Sequence, residues 1–155
     1  MNQDPIQAAI PHRPPMLLVD EVVEQDESRI VCRKTFRPDE FFFQGHYPGH
    51  PLVPGVILCE SAMQAGAVLL AKFVQGTEGV PVATRLNEVK FKRMIRPGDT
   101  IQIEVTLQER LADAFFMQAK VTCDGKLAVR FDFACTIAKM AERERIGGGR
   151  EARIA

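Results

Sequence analysis

Between Gly55 and about Gln75 the chain presents almost no polar face, and this stretch limits what the remainder can become. Val56, Ile57, Leu58, Met63, Val68, Leu69, Leu70 and Phe73 are joined by the small residues Ala62, Ala65, Gly66, Ala67 and Ala71. A helix that is apolar nearly all round has to be covered on several sides, so it belongs inside a fold. Glu60, Ser61 and Gln64 interrupt it, and it falls short of the roughly 18 unbroken apolar residues that read as a membrane span. Gly76-Thr77-Glu78-Gly79 stops it. Whatever covers this helix must come from the flanking sequence.

That flanking sequence reads as strands. Met16 to Glu24 and Arg29 to Arg37 are β-rich runs separated by Gln25-Asp26-Glu27-Ser28, which predicts a hairpin. After the helix, Pro81 to Ile95 leads into the turn Arg96-Pro97-Gly98-Asp99, and Ile101, Ile103, Val105 and Leu107 then alternate with polar residues. Ala114 to Cys123 is joined to Lys126 through Ile137 by Asp124-Gly125, a dipeptide suited to a tight hairpin. A parallel sheet would need a helix in each crossover. The order of two strands, one helix and four strands therefore predicts an α+β fold, an antiparallel sheet wrapped around a central helix.

At 155 residues, with 46% hydrophobic and 26% charged content, the chain has what one soluble domain needs. That domain is expected over residues 1–140, with 141–155 as a charged C-terminal tail. Lys plus Arg and Asp plus Glu each total 20, so net charge points to neither nucleic acid nor a membrane surface. The start, Met1-Asn2-Gln3-Asp4-Pro5, lacks the basic and apolar regions of a secretion signal, and the cytoplasm is the expected location. Cys32, Cys59, Cys123 and Cys135 are too widely spaced for a zinc site or a disulfide framework, and buried free thiols are expected.

Chemistry-bearing residues concentrate just before and inside the helix. The segment Gly45-His46-Tyr47-Pro48-Gly49-His50-Pro51-Leu52-Val53-Pro54-Gly55 holds three prolines and three glycines, residues that commit a loop to one shape. His46 precedes the helix-opening Gly55 by nine residues and Glu60 by fourteen. A base, a helix N-terminus and an acid at fixed offsets look like a catalytic site. Each also has a plainer reading. A loop histidine is ordinarily structural, and Glu60 shares a helix face with Gln64 and Lys72, so the pattern alone leaves a solvated stripe and a catalytic acid equally open. His50 lies four residues from His46, but Pro48 and Gly49 exclude the helical geometry that would aim both at a metal, and no metal site is expected. His12 reads as a structural hydrogen-bonding residue. Lys90, Lys92, Arg93 and Arg96 form a basic cluster that either protects an edge strand or docks an acidic partner.

Three blocks carry a resemblance to a known family. They are Pro11-His12-Arg13-Pro14-Pro15-Met16-Leu17-Leu18-Val19-Asp20, the run from Phe42 through His46 and Gly55 to Glu60 and Gln64-Ala65-Gly66, and Val89-Lys90-Phe91-Lys92-Arg93 with Arg96-Pro97-Gly98-Asp99. The chain resembles the FabZ-type 3-hydroxyacyl carrier-protein dehydratases, whose fold is the hotdog. The middle block is the specific one, because its histidine, glycine and acid keep the family's offsets. Glu60-Ser61-Ala62-Met63-Gln64 replaces the family's common Glu-Ala-Met-Ala-Gln, so Ser61 and Cys59 bear on the shape of the acyl pocket.

The resemblance implies a hydro-lyase without cofactor that acts on an acyl carrier protein bearing a (3R)-3-hydroxyacyl thioester. It implies His46 as the base that removes the C2 proton and Glu60 as the acid that helps the C3 hydroxyl leave as water. Desolvation favours the protonated form of a carboxyl group, so the acid role suits apolar surroundings. Gly55 N–H, with the helix dipole, would meet the thioester oxygen. The resemblance also implies that His46 of one subunit faces Glu60 of another, in a dimer or a trimer of dimers, and that the basic cluster meets the acidic carrier protein. Three other readings remain. FabA-type isomerases carry aspartate in place of Glu60, hotdog thioesterases lack this spacing, and a non-catalytic acyl-binding protein would not need it.

Overall fold

Residues 4–139 are described by the computed structural model, so the charged tail expected from 141 onward lies outside the described residues. The chain order is α1 (Pro5–Ala9), β1 (Glu21–Gln25), β2 (Arg29–Thr35), a 3-10 turn (Phe41–Gln44), α2 (Gly55–Val74), β3 (Gly79–Phe91), β4 (Thr100–Leu111), β5 (Ala114–Cys123) and β6 (Lys126–Lys139). The strands form one antiparallel sheet in the order β1-β2-β4-β5-β6-β3. This is the hotdog arrangement, with α2 packed against one face of the sheet.

The long helix is where its composition requires. From Leu58 to Leu70 every residue but Glu60 and Met63 is buried. The sheet covers one side, and Ile6, Ile10, Leu18, Phe42 and Phe43 complete the core around it. Mean hydropathy over an 18-residue window reaches 1.5, enough by composition for a membrane span, and here that surface is spent on the sheet. Gly66 permits the close approach: a Cβ there would lie 2.8 Å from the Phe133 ring on β6 and 3.4 Å from Met117 Sδ on β5.

The β5–β6 hairpin turns through Asp124 and Gly125, with φ of 51° and 75°, the positive values its dipeptide suits. The Arg96–Asp99 turn is pinned to the end of β2, since Gly98 N–H donates to Phe36 O at 2.7 Å and Phe36 N–H to Asp99 O at 3.0 Å. One expectation needs correction, and one further element has no counterpart in the sequence pattern. The first strand begins only at Glu21, because Met16 and Leu18 give their backbone groups to the Gln64 side chain instead of a neighbouring strand. The five-residue α1, capped by Asp4 Oδ1 accepting from Ile6 N–H at 2.9 Å, is too short to show a sequence period.

All four cysteines are free and buried. Burial pushes the Cys32 and Cys135 thiols up to about 12 and Cys59 up to about 11.

Candidate active site

His46 is held by one residue at two points. Leu52 N–H donates to His46 O at 2.9 Å, and His46 Nδ1 lies 2.8 Å from Leu52 O. A carbonyl oxygen only accepts, so Nδ1 carries the hydrogen and Nε2 keeps a lone pair. Tyr47 stacks on the imidazole with ring centroids 4.1 Å apart. Tyr47 N–H and His50 N–H are bonded reciprocally to each other's carbonyl oxygens at 3.2 and 3.0 Å, and Val53 N–H donates to Ile95 O at 2.8 Å. The prolines and glycines thus close a small loop that presents His46 half-buried. His50 is exposed and does not share this position.

Gly55 begins α2 directly after Pro54, and no side chain caps the helix start. The first N–H groups of a helix have no intrahelical acceptor, so this end offers donors and the positive end of the dipole. Glycine is needed here for space: a Cβ would come within 2.6 Å of the Phe91 ring at the end of β3. Just before it, the β3–β6 register shifts between Asn87 and Lys90, with Glu88 at φ 54°, a bulge of the kind that re-aims a strand end. Val56, at 72% exposure, and Phe91, at 52%, leave an apolar rim around the helix start.

Glu60 sits about 7.5 Å further along the axis and roughly 140° around it, from the rise and turn of an α-helix. Its partners are Gln64 and His12. Gln64 Nε2 donates to Glu60 Oε1 at 3.0 Å and to Met16 O at 2.7 Å, while Gln64 Oε1 accepts from Leu18 N–H at 2.8 Å. The two backbone contacts fix the amide orientation, since an N–H must meet oxygen and a carbonyl must meet nitrogen. Gln64 is 1% exposed, which overturns the solvated-stripe reading of this helix face. Glu60 and Gln64 form an internal polar step, and Lys72 stands apart, bound to Glu27 O at 2.6 Å and Glu27 Oε2 at 3.0 Å. His12 Nε2 approaches Glu60 Oε1 at 3.7 Å.

The single chain does not bring the pair together. Among the described residues no hydrogen bond or ion pair joins His46 to Glu60, and the apolar surroundings that suit a carboxylic acid are incomplete around a side chain 28% exposed.

Lys90, Lys92, Arg93 and Arg96 are all exposed, and none forms an ion pair among the described residues. The register extends the patch beyond what the sequence run showed. Lys90 is paired with Arg130 on β6, and Arg130 with Lys120 on β5, so three exposed cations stand in a row across three strands. Cross-strand pairing, not local spacing, creates that row, and strand register was the missing signal.

Comparison with known proteins places the chain in a family. The FabA-like domain family model matches residues 10–132. The chain is 41% identical over 133 residues to the 3-hydroxyacyl-(acyl-carrier-protein) dehydratase FabZ of Oenococcus oeni, covering 85% of this chain and 96% of that protein. It is 40% identical over 128 residues to the protein of the same name from Clostridium perfringens, covering 83% and 92%. The fold matches the dehydratase heterocomplex ApeI:P from Xenorhabdus doucetiae with a TM-score of 0.76 at 16% identity, over 96% of this chain and all (100%) of that one. The E. coli PaaI protein follows at TM-score 0.60 and 19% identity, over 75% and 81%. These last two speak for the hotdog fold alone. On sequence, the chain belongs to the FabA-like family, in its FabZ-type dehydratase branch.

Proposed function

We propose that this protein dehydrates (3R)-3-hydroxyacyl thioesters carried on an acyl carrier protein to trans-2-enoyl thioesters, in cytoplasmic fatty-acid or related acyl-chain synthesis. The observation that carries the reading is the His46–Leu52 contact, which fixes the tautomer a base needs. His46 Nε2 takes the C2 proton, and Glu60 gives its proton to the C3 hydroxyl, which departs as water. Gly55 N–H receives the negative charge that gathers on the thioester oxygen, where one such donor typically contributes about 3–4 kcal/mol. The uncapped helix start and the apolar rim of Val56 and Phe91 support that placement.

A second copy completes the site in this reading. Strand β3 is an edge of 13 residues with Val82, Leu86 and Phe91 exposed, an apolar edge of the kind another strand covers. Pairing there would dry the surroundings of Glu60 and set it opposite the neighbour's base. The cations Lys90, Lys92, Arg93 and Arg96, joined by Arg130 and Lys120, would then meet the acidic carrier protein.

The test is hydration of trans-2-enoyl thioesters of several chain lengths, on a carrier protein and on a small thiol. Reversible hydration to the 3-hydroxy product is expected. Charge reversal at Lys92 and Arg93 should slow the carrier-linked substrate and spare the small one, and the difference should shrink with salt. Thioester hydrolysis without hydration would make the protein a thioesterase, and binding without turnover a non-catalytic acyl-thioester-binding protein.

A further inference from the structure

The residues from Asp4 to Leu18 make an elaborate structure for so short a segment, and one side chain in it has no role in the scheme above. Asp4 caps α1. Arg13 Nη2 donates to Gln7 O at 2.9 Å and Nη1 to Ile10 O at 2.9 Å, bracing the loop that carries His12. Gln64 then takes hold of the segment's far end at Met16 and Leu18. Between these two anchors the imidazole of His12 is delivered to Glu60. Its Nδ1 is buried without a partner. Glu60 Oε1 is the acceptor that the ring faces among the described residues, so the hydrogen belongs on Nε2 and not on the unpartnered Nδ1.

We propose that His12 is a positioning residue for Glu60: its Nε2–H and the Gln64 amide are twin donors to Oε1, which leaves Oε2 as the oxygen that delivers the proton. At 3.7 Å the His12 contact is open by a few tenths of an ångström, and such contacts tighten when substrate closes a site. The two donors fix the rotation of the carboxyl group, and they strengthen as it becomes a carboxylate, which is the moment the C3–O bond breaks. This inference rests on the dehydratase reading and assigns a residue that the reading itself does not use.

Replacement by glutamine separates the possible roles of His12, because its Nε2 can stand where the imidazole Nε2 stands while carrying no titratable proton. In full-length protein, His12→Ala should lower kcat for enoyl thioester hydration roughly ten- to hundredfold with KM unchanged, the size of one hydrogen bond to a charged group. His12→Gln should recover most of that loss. In a Glu60→Gln background, adding His12→Ala should cost little more, since the two act as one unit. A His12→Gln variant as slow as His12→Ala would replace positioning by proton transfer through the ring. Full activity in His12→Ala, or an equal further loss in the Glu60→Gln background, would leave His12 with a structural role only. If wild-type protein turns over no enoyl thioester, the dehydratase reading falls and this inference with it. If wild type is active and His46→Ala is not, a failure at His12 concerns this inference alone.

Discussion

A histidine becomes a base only when something else decides which nitrogen is free. Here a backbone carbonyl decides it, and Leu52 fixes peptide and ring together. The expectation is that His46→Ala and Glu60→Gln each lower kcat for hydration by about 10²–10⁴-fold while the folded signal in circular dichroism is unchanged. A folded variant of either kind with near-wild-type turnover would withdraw the role from that residue. The sequence supplied His46, Gly55 and Glu60 through their spacing and family likeness. It did not supply the Leu52 carbonyl or the His12 contact, because a backbone acceptor has no residue signature and a contact across 48 positions has no local period. The thiols make a second prediction at this scale. In the unfolded chain Cys32 and Cys135 release their protons near the ordinary value of 9, while the folded chain holds them to about 12. Folded values are raised, so this contribution to stability is complete below about pH 9 and is lost as pH rises toward 12. Urea midpoints measured from pH 8 to 11 should fall in wild type, and fall less steeply in Cys32→Ala. Parallel curves would remove the thiols from the account.

At the scale of elements, the helix and the sheet specify each other. The near-absence of a polar face on α2 was legible as burial, and the alternating runs were legible as the strands that bury it. The depth of contact was not, since Gly66 reads as one more small residue until Phe133 is seen against it. Gly66→Ala should destabilise the fold by about 1–3 kcal/mol, the usual cost of overpacking. Combining it with Phe133→Leu should cost less than the sum of the two single changes. Urea unfolding of the four proteins measures this, and strict additivity would mean the ring moves aside freely. The start of β1 at Glu21 departs from the sequence pattern for a related reason. Met16 to Asp20 has strand-like composition, yet Gln64 claims Met16 O and Leu18 N–H from the helix. Composition indicates what a segment tolerates, while the hydrogen-bond partner decides what it becomes.

At the scale of the whole molecule, the proposed acid and base lie in one chain without meeting. If two copies share each site, mixing inactive His46→Ala with inactive Glu60→Gln under exchange should restore activity, because each mixed dimer holds one intact site. With unbiased exchange of equal amounts, half the dimers are mixed and each carries one site of two, so recovery should approach about a quarter of wild type. Exchange shown by mass spectrometry with no recovered activity would place a complete site within each chain. The contact between Phe91 and Gly55 adds something of a different kind. Phe91 ends the edge strand β3, and its ring rests on the first residue of α2, the proposed donor to the thioester oxygen. If a second copy pairs at that edge, as proposed, the Phe91 ring stands between the pairing and the proposed Gly55 donor. If two copies share each site and separate on dilution, the rate per chain is not a constant of the chain: it falls as they separate, and enzyme concentration enters the rate law with an order above one.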